Sequence, residues 1–191
     1  MPRRYDPERR QRIIDAAIRV VGEKGIAGLS HRTVAAEAGV PLGSTTYHFA
    51  TLDELMVAAL RQANEGFAKA VAARAAFQDP TLDLADELAG LLGEWLGGGR
   101  GETGVPPAEG WGSVGAELEY ELYLAALRRP ALRPVAAEWC QDLAAALAER
   151  TDPVTARALV ALMDGICLQA LLTGGEYDAA YAREMLARLI P

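Results

Sequence analysis

The chain has little with which to do covalent or redox chemistry. Its 191 residues hold two cysteines and two histidines. Cys140 and Cys167 lie far apart in apolar helical runs, a setting for buried free thiols in a reducing compartment rather than for a disulfide or a zinc site. His31 and His48 share one short polar segment, so no Cys/His or Ser/His/Asp arrangement can be assembled around a nucleophile. The glycines at 97–101 lack the lysine and helix start of a phosphate loop, and the carboxylates at 117–121 have no histidine to complete a metal set. No cofactor, no metal and no enzymatic activity are therefore expected. Long apolar runs are also missing: none approaches the roughly 18 residues of a transmembrane helix, and the opening MPRRYDPERRQR is too charged for a signal peptide. These absences predict a cytoplasmic protein that avoids membranes. No convincing period-2 alternation occurs either, so the expected fold is all-α.

What is present centres on Leu29 to Phe49, LSHRTVAAEAGVPLGSTTYHF. Ser30 precedes a helical run in which Val34, Ala35 and Ala38 share a face, and its hydroxyl can accept from an unpaired amide of the first turn. Gly39 can take the left-handed conformation that ends a helix, and Pro41 sits where a new one can open without its N–H. The second helix, roughly Leu42 to Tyr47, carries Ser44, Thr45, Thr46, Tyr47 and His48 beside Gly43 and has little to build a core. Helix, turn and polar second helix make a DNA-reading device, in which hydroxyls reach base edges or phosphates and a glycine permits close backbone approach.

The charge distribution agrees. The whole chain carries −7, yet residues 1–50 hold eight Lys or Arg against five acids, a net +3, leaving −10 on the other 141 residues. A basic end that meets phosphate and an acidic body that does not is the reading this supports.

Along the chain, Asp6 and Pro7 can open a first helix bearing Ile13, Ile14, Ala17, Ile18 and Val21, which Gly25 stops. Thr51 and Glu54 form a capping-box pattern that starts a long linking helix, 52–77. Thr81 can cap a helix through Leu84, Leu88, Leu91, Leu92 and Trp95. Seven glycines between 97 and 112 make a loop, either a connector or a flap. Ser113 to Arg129 alternates acids with Leu118, Tyr120, Leu122 and Tyr123, so a carboxylate turned inward would need Arg128, Arg133 or a ligand as partner. Pro130 to Arg150 and Pro153 to Thr173 are helical, and the latter is apolar round more than one stripe. Gly174 and Gly175 stop it, and Asp178 can cap a last helix.

From about Arg10 to Leu60, the succession IIDAAIRVVGEKGIAGLSHRTVAAEAGV, GSTTYHF and LDEL resembles the N-terminal domain of the TetR family of transcriptional regulators. The resemblance implies a three-helix helix-turn-helix domain, 1–50, followed by an all-helical ligand-binding and dimerisation bundle, 51–191. It implies a homodimeric repressor on a palindromic double-stranded DNA operator, released by a small-molecule effector. Carried over by position, DNA contacts fall on Thr33, Leu42, Gly43, Ser44, Thr46, Tyr47 and His48, with Arg4 of the basic arm added. The chain departs from the family pattern at Leu42, Thr46 and Leu52, which should weaken nonspecific affinity and leaves Leu42 free to meet a thymine methyl. Effector candidates are Trp95, Trp111, Glu117, Tyr120, Tyr123 and Met163. Two late helices per subunit would form the dimer interface through Trp139, Leu143, Leu147, Leu159, Met163, Ile166 and Ala170. The rival expectation is a ligand-independent DNA-organising or protein-docking module that fills the same fold with side chains.

Overall fold

A computed structural model describes residues 8–72, 74, 79–97 and 116–190. Arg4, Trp111, the expected cap at Asp6 and nearly all of the glycine-rich loop lie outside them. Among the described residues there are nine α-helices and no strand. They are α1 (Arg9–Lys24), α2 (His31–Glu37), α3 (Leu42–His48), α4 (Leu52–Ala72), α5 (Leu84–Gly97), α6 (Ala116–Ala125), α7 (Arg133–Ala148), α8 (Pro153–Thr173) and α9 (Ala179–Ala187). The chain folds as two compact units, one of residues up to Gln62 with Leu118–Val135, the other of Ala63–Glu117 with the residues from Ala136 onward.

In the first unit, α1 buries Ile13, Ile14, Ala16, Ala17, Ile18, Val20 and Val21 against α2 and α3. Ser30 caps α2 by accepting from the Thr33 amide at 3.1 Å, while the Thr33 hydroxyl accepts from the Ser30 amide at 2.9 Å. This reciprocal box satisfies two helix-end donors and fixes where α2 begins. Gly39, at φ +62°, turns the chain out of α2 as expected. At the start of α4 the Glu54 amide donates to the Thr51 hydroxyl, and the Glu54 carboxylate reaches back to the Ala50 amide at 2.7 Å. Arg19 of α1 pairs with Glu37 of α2 at 2.7 Å, and Gln62 of α4 donates to Asp15 of α1 at 3.0 Å.

Helix α6 belongs mostly to this unit. Glu121 accepts from the Ile26 amide at 2.6 Å, in the turn that follows Gly25. Gly25 has φ 66° and ψ 175°, a conformation essentially reserved for glycine. The expected inward carboxylate therefore takes another form: Glu117 and Glu121 are exposed and Glu119 is half-buried, and the partner of Glu121 is a backbone amide rather than Arg128 or Arg133. Arg129 binds Asp53 of α4 at 2.6 Å, and Arg133 turns its Nε to the Ala126 carbonyl.

In the second unit α5 and α9 pack together. Arg183 bridges Asp83 at 2.6 Å and Asp86, and its pairing with those carboxylates raises its pKa. Asp83, not Thr81, caps α5 by accepting from the amides of Ala85 and Asp86; Thr81 donates instead to Asp79. The Asp86 amide and, after it, the Ala85 amide hold the Asp83 carboxyl below its ordinary range. Tyr177 donates to the Ala89 carbonyl at 2.6 Å, and burial pushes its hydroxyl pKa up. Asp152 caps α8, accepting from the Thr155 hydroxyl and the amides of Thr155 and Val154, which depress its pKa in that order of strength with the Thr155 hydroxyl first. Asp178 caps α9 through the Tyr181 amide.

Helix α8 corrects one expectation. Its 21 residues are long and apolar enough to cross a bilayer by length and composition, although Arg157 and Asp164 interrupt the run. Its Ala156, Leu159, Val160, Met163 and Cys167 are buried within the protein, and the remaining residues are half-buried or exposed.

Candidate nucleic-acid interface

Seven residues make α3, and they divide cleanly by the helical turn. Ser44 and Thr45 face inward, 5% and 0% exposed, whereas Leu42, Gly43, Thr46 and Tyr47 are exposed. Burying Thr45 leaves no donor unsatisfied, because its hydroxyl donates to the Leu42 carbonyl at 2.8 Å. Leu42 is 46% exposed and Tyr47 84%, the latter far more than a tyrosine needs to wet its hydroxyl. His48 is half-buried and meets the Tyr47 ring edge-on, with centroids 5.1 Å apart. Nothing lies within 4 Å of where a Cβ on Gly43 would be. The outward face thus offers an aromatic ring, a hydroxyl, an aliphatic tip and bare backbone to a partner.

Two of the expected contact residues are buried or hydrogen-bonded within the protein. Ser44 sits on the inner side of α3, since residues 44, 45 and 48 share a face at about 100° per residue. The Thr33 hydroxyl is engaged in the α2 cap and donates to the Gly28 carbonyl at 2.9 Å. Conversely Arg32, exposed at the second position of α2, is a phosphate-binding candidate that the motif reading passed over. Its signal is the one Lys or Arg in the stretch from Leu29 to Phe49, at the start of the first helix of the motif.

The proposed interface residues also fall differently. Trp139, Leu143, Leu147, Leu159 and Met163 are buried inside their own subunit, and Ile166 and Ala170 are half-buried. The largest apolar side chains go to the core because burial stabilises them most, leaving smaller ones outside. About 100° further round α7 and α8 lies a trough of about 770 Å³, lined by Ala144, Ala145, Ala148, Pro153, Val160 and Ala161, with Gln141, Arg157 and Asp164 as polar members.

Of the effector candidates, Trp95 and Met163 are buried in the second unit. Tyr120 and Tyr123 belong to the first, their rings edge-to-face with centroids 6.4 Å apart, and Glu117 is exposed. No group of three or more His, Cys, Asp or Glu side chains able to hold a metal occurs among the described residues.

Comparison with known proteins agrees with this arrangement. Residues 13–59 match the family model for bacterial regulatory proteins of the tetR family, and residues 79–191 match the tetracyclin repressor-like C-terminal domain. The HTH-type transcriptional regulator BetI 2 of Chromohalobacter salexigens is 30% identical over 181 residues, spanning 93% of this chain and 84% of the relative. The multidrug binding protein EbrR, solved in complex with ethidium, is 73% identical with a TM-score of 0.85, covering 96% of this chain and 99% of that one. A TetR-family member from Streptomyces coelicolor A3 is 74% identical with a TM-score of 0.83, covering 97% and 99%. A helix-turn-helix whose second helix presents an unsheltered tyrosine, joined to a helical body that the second model matches through to its last residue, places this chain in the TetR family of DNA-binding transcriptional regulators.

Proposed function

We propose that the protein is a homodimeric repressor of the cytoplasm, held on a roughly palindromic operator until a small aromatic effector releases it. The observation that carries the DNA half is the outward face of α3, where Leu42, Gly43, Thr46 and Tyr47 are left uncovered beside an inward Ser44 and Thr45. Two such faces enter successive major grooves about 34 to 36 Å apart. Residues 1–50 serve as the reading domain, with Arg4 and Arg32 on phosphate, and residues 51–191 as the effector and dimerisation domain. The trough between α7 and α8 is the surface the second subunit covers: its alanines let two helix pairs approach closely, and a two-fold operator calls for a two-fold protein.

The effector half rests on likeness. EbrR, 73–74% identical to this chain, is solved with ethidium, proflavin and malachite green. All three are aromatic, charge-delocalised cations, which aromatic faces and carboxylates attract. Among the effector candidates, Trp95, Trp111, Tyr120 and Tyr123 are aromatic and Glu117 is a carboxylate, while Met163 offers an apolar thioether. An effector can shift the protein off DNA by no more than its preference for the released state.

The test is a titration of malachite green into the full chain, followed by the dye's absorbance, and then into the chain bound to a selected operator, corrected against dye with DNA alone. Saturable binding, weakened by Tyr123→Ala, and dye-dependent loss of DNA binding are expected. A dye that binds without altering operator affinity would refute the inducer role.

A further inference from the structure

We infer that α3 reads its operator through thymine methyl groups, with Leu42 as the residue that sets the preference. This rests on the operator-binding reading above and says which bases that surface selects. Each base pair offers a different edge in the major groove: guanine calls for a bidentate Arg or Lys, adenine for Asn or Gln, cytosine for a carboxylate acceptor, and thymine for an apolar contact with its C5 methyl. The whole of α3, Leu42–His48, contains none of Arg, Lys, Asn, Gln, Asp or Glu. Bidentate recognition of guanine or adenine from this helix is therefore closed.

What the outward face does offer is methyl groups. Leu42 is the first residue of α3, the end of a recognition helix that contacts base edges, and it is 46% exposed. An exposed leucine alone signifies little, but this one stands beside Gly43, where open space lets the backbone sink toward the groove. Thr46, four residues on, brings its γ-methyl to the same face, since residues four apart are neighbours on a helix. Its hydroxyl donates back to the Gly43 carbonyl at 3.4 Å, so its proton is turned toward the helix's own backbone. Tyr47, on the flank of that face, and Arg32 of α2 are left to hold phosphates. Bidentate recognition of guanine, where used, comes from outside α3.

The inference predicts a thymine opposite Leu42 in each half-site, related by the operator's two-fold axis. The experiment selects binding sites from random duplex DNA with the full chain, then replaces each thymine of the selected site by deoxyuridine, removing only the methyl. Binding is measured for the unaltered protein, Leu42→Ala and Leu42→Gln, with circular dichroism confirming the fold. At one symmetric thymine the unaltered protein should lose about fourfold in affinity per substituted half-site, the equilibrium equivalent of roughly one buried methyl group. Leu42→Ala should bind the two duplexes about equally, and Leu42→Gln should move the preference at that position to adenine. Uniform indifference to deoxyuridine, or a loss that Leu42→Ala leaves intact, would overturn the inference while leaving the regulator reading in place. Failure of the selection to enrich any sequence would overturn both.

Discussion

Placing glutamate in the trough at Ala145 should separate the proposed dimer without harming the fold of either subunit. Ala145 and Ala161 are exposed on the isolated subunit and line the trough, so a glutamate at either position projects into solvent in the monomer and costs its fold almost nothing. Once a second copy covers the trough, two-fold symmetry buries two such carboxylates. An uncompensated buried charge costs about 3 to 5 kcal/mol. At about 1.4 kcal/mol per decade, even one of the pair lowers association by at least about a hundredfold. Arg157 is the cation of the trough and can offset part of this, so Ala145→Glu combined with Arg157→Ala should fall at the upper end. Sedimentation velocity across a concentration series reads the effect, with Ala180→Glu, exposed on α9 away from the trough, as control. Operator affinity should fall in parallel, because a single head loses its partner's contacts. An Ala145→Glu variant that sediments as the unaltered dimer would refute the assignment of this surface.

Three further outcomes follow from local geometry. Gly25→Ala should lower stability by about 1 to 3 kcal/mol, because φ 66° with ψ 175° strains any side chain and the new Cβ would stand 3.1 Å from Glu121 Oε1; thermal unfolding checks it. Tyr177→Phe should cost about 1 kcal/mol in urea unfolding, the ordinary worth of one hydrogen bond, here to the Ala89 carbonyl. Asp83 and Asp152 have folded-state pKa values depressed by the donors they cap, so the unfolded chain takes up their protons first. Their stabilisation is complete above about pH 4 and is lost as pH falls through the lower folded values; Asp152→Asn should flatten the acid limb of a stability-against-pH curve.

Much of this fold can be read from residues whose role is settled within a few positions. Ser30, Asp152 and Asp178 cap the helices they precede because a short oxygen-bearing side chain needs only the next three amides. Thr81 shows where such reading stops: Asp83 offers the same chemistry two residues nearer the apolar run and takes the cap, while Thr81 donates to Asp79. Ser44 shows another limit, since its burial could not be read from its type. In a seven-residue helix polarity does not mark the outside, since a hydroxyl can satisfy itself on the preceding turn, as Thr45 does, and then be buried. Trp139, Leu143 and Leu147 attract attention as an interface because they are large and apolar, but the core claims them first. The trough proposed for a partner is lined largely by alanines, which carry no compositional signal. Glu121 depends on a contact 95 residues away, to the Ile26 amide, which no local pattern announces.

The central claim is that the outward face of α3 is where DNA binds. Fluorescence anisotropy of a selected operator duplex, titrated with the unaltered protein and with Tyr47→Ala at matched salt, tests it most directly. Tyr47 is 84% exposed and does not line the trough, so its removal should leave the fold and the proposed dimer intact. Loss of a ring and hydroxyl from the contact surface should weaken binding by at least about tenfold, the equivalent of about 1.4 kcal/mol. Operator affinity unchanged in Tyr47→Ala, with the same sedimentation coefficient, would contradict the account.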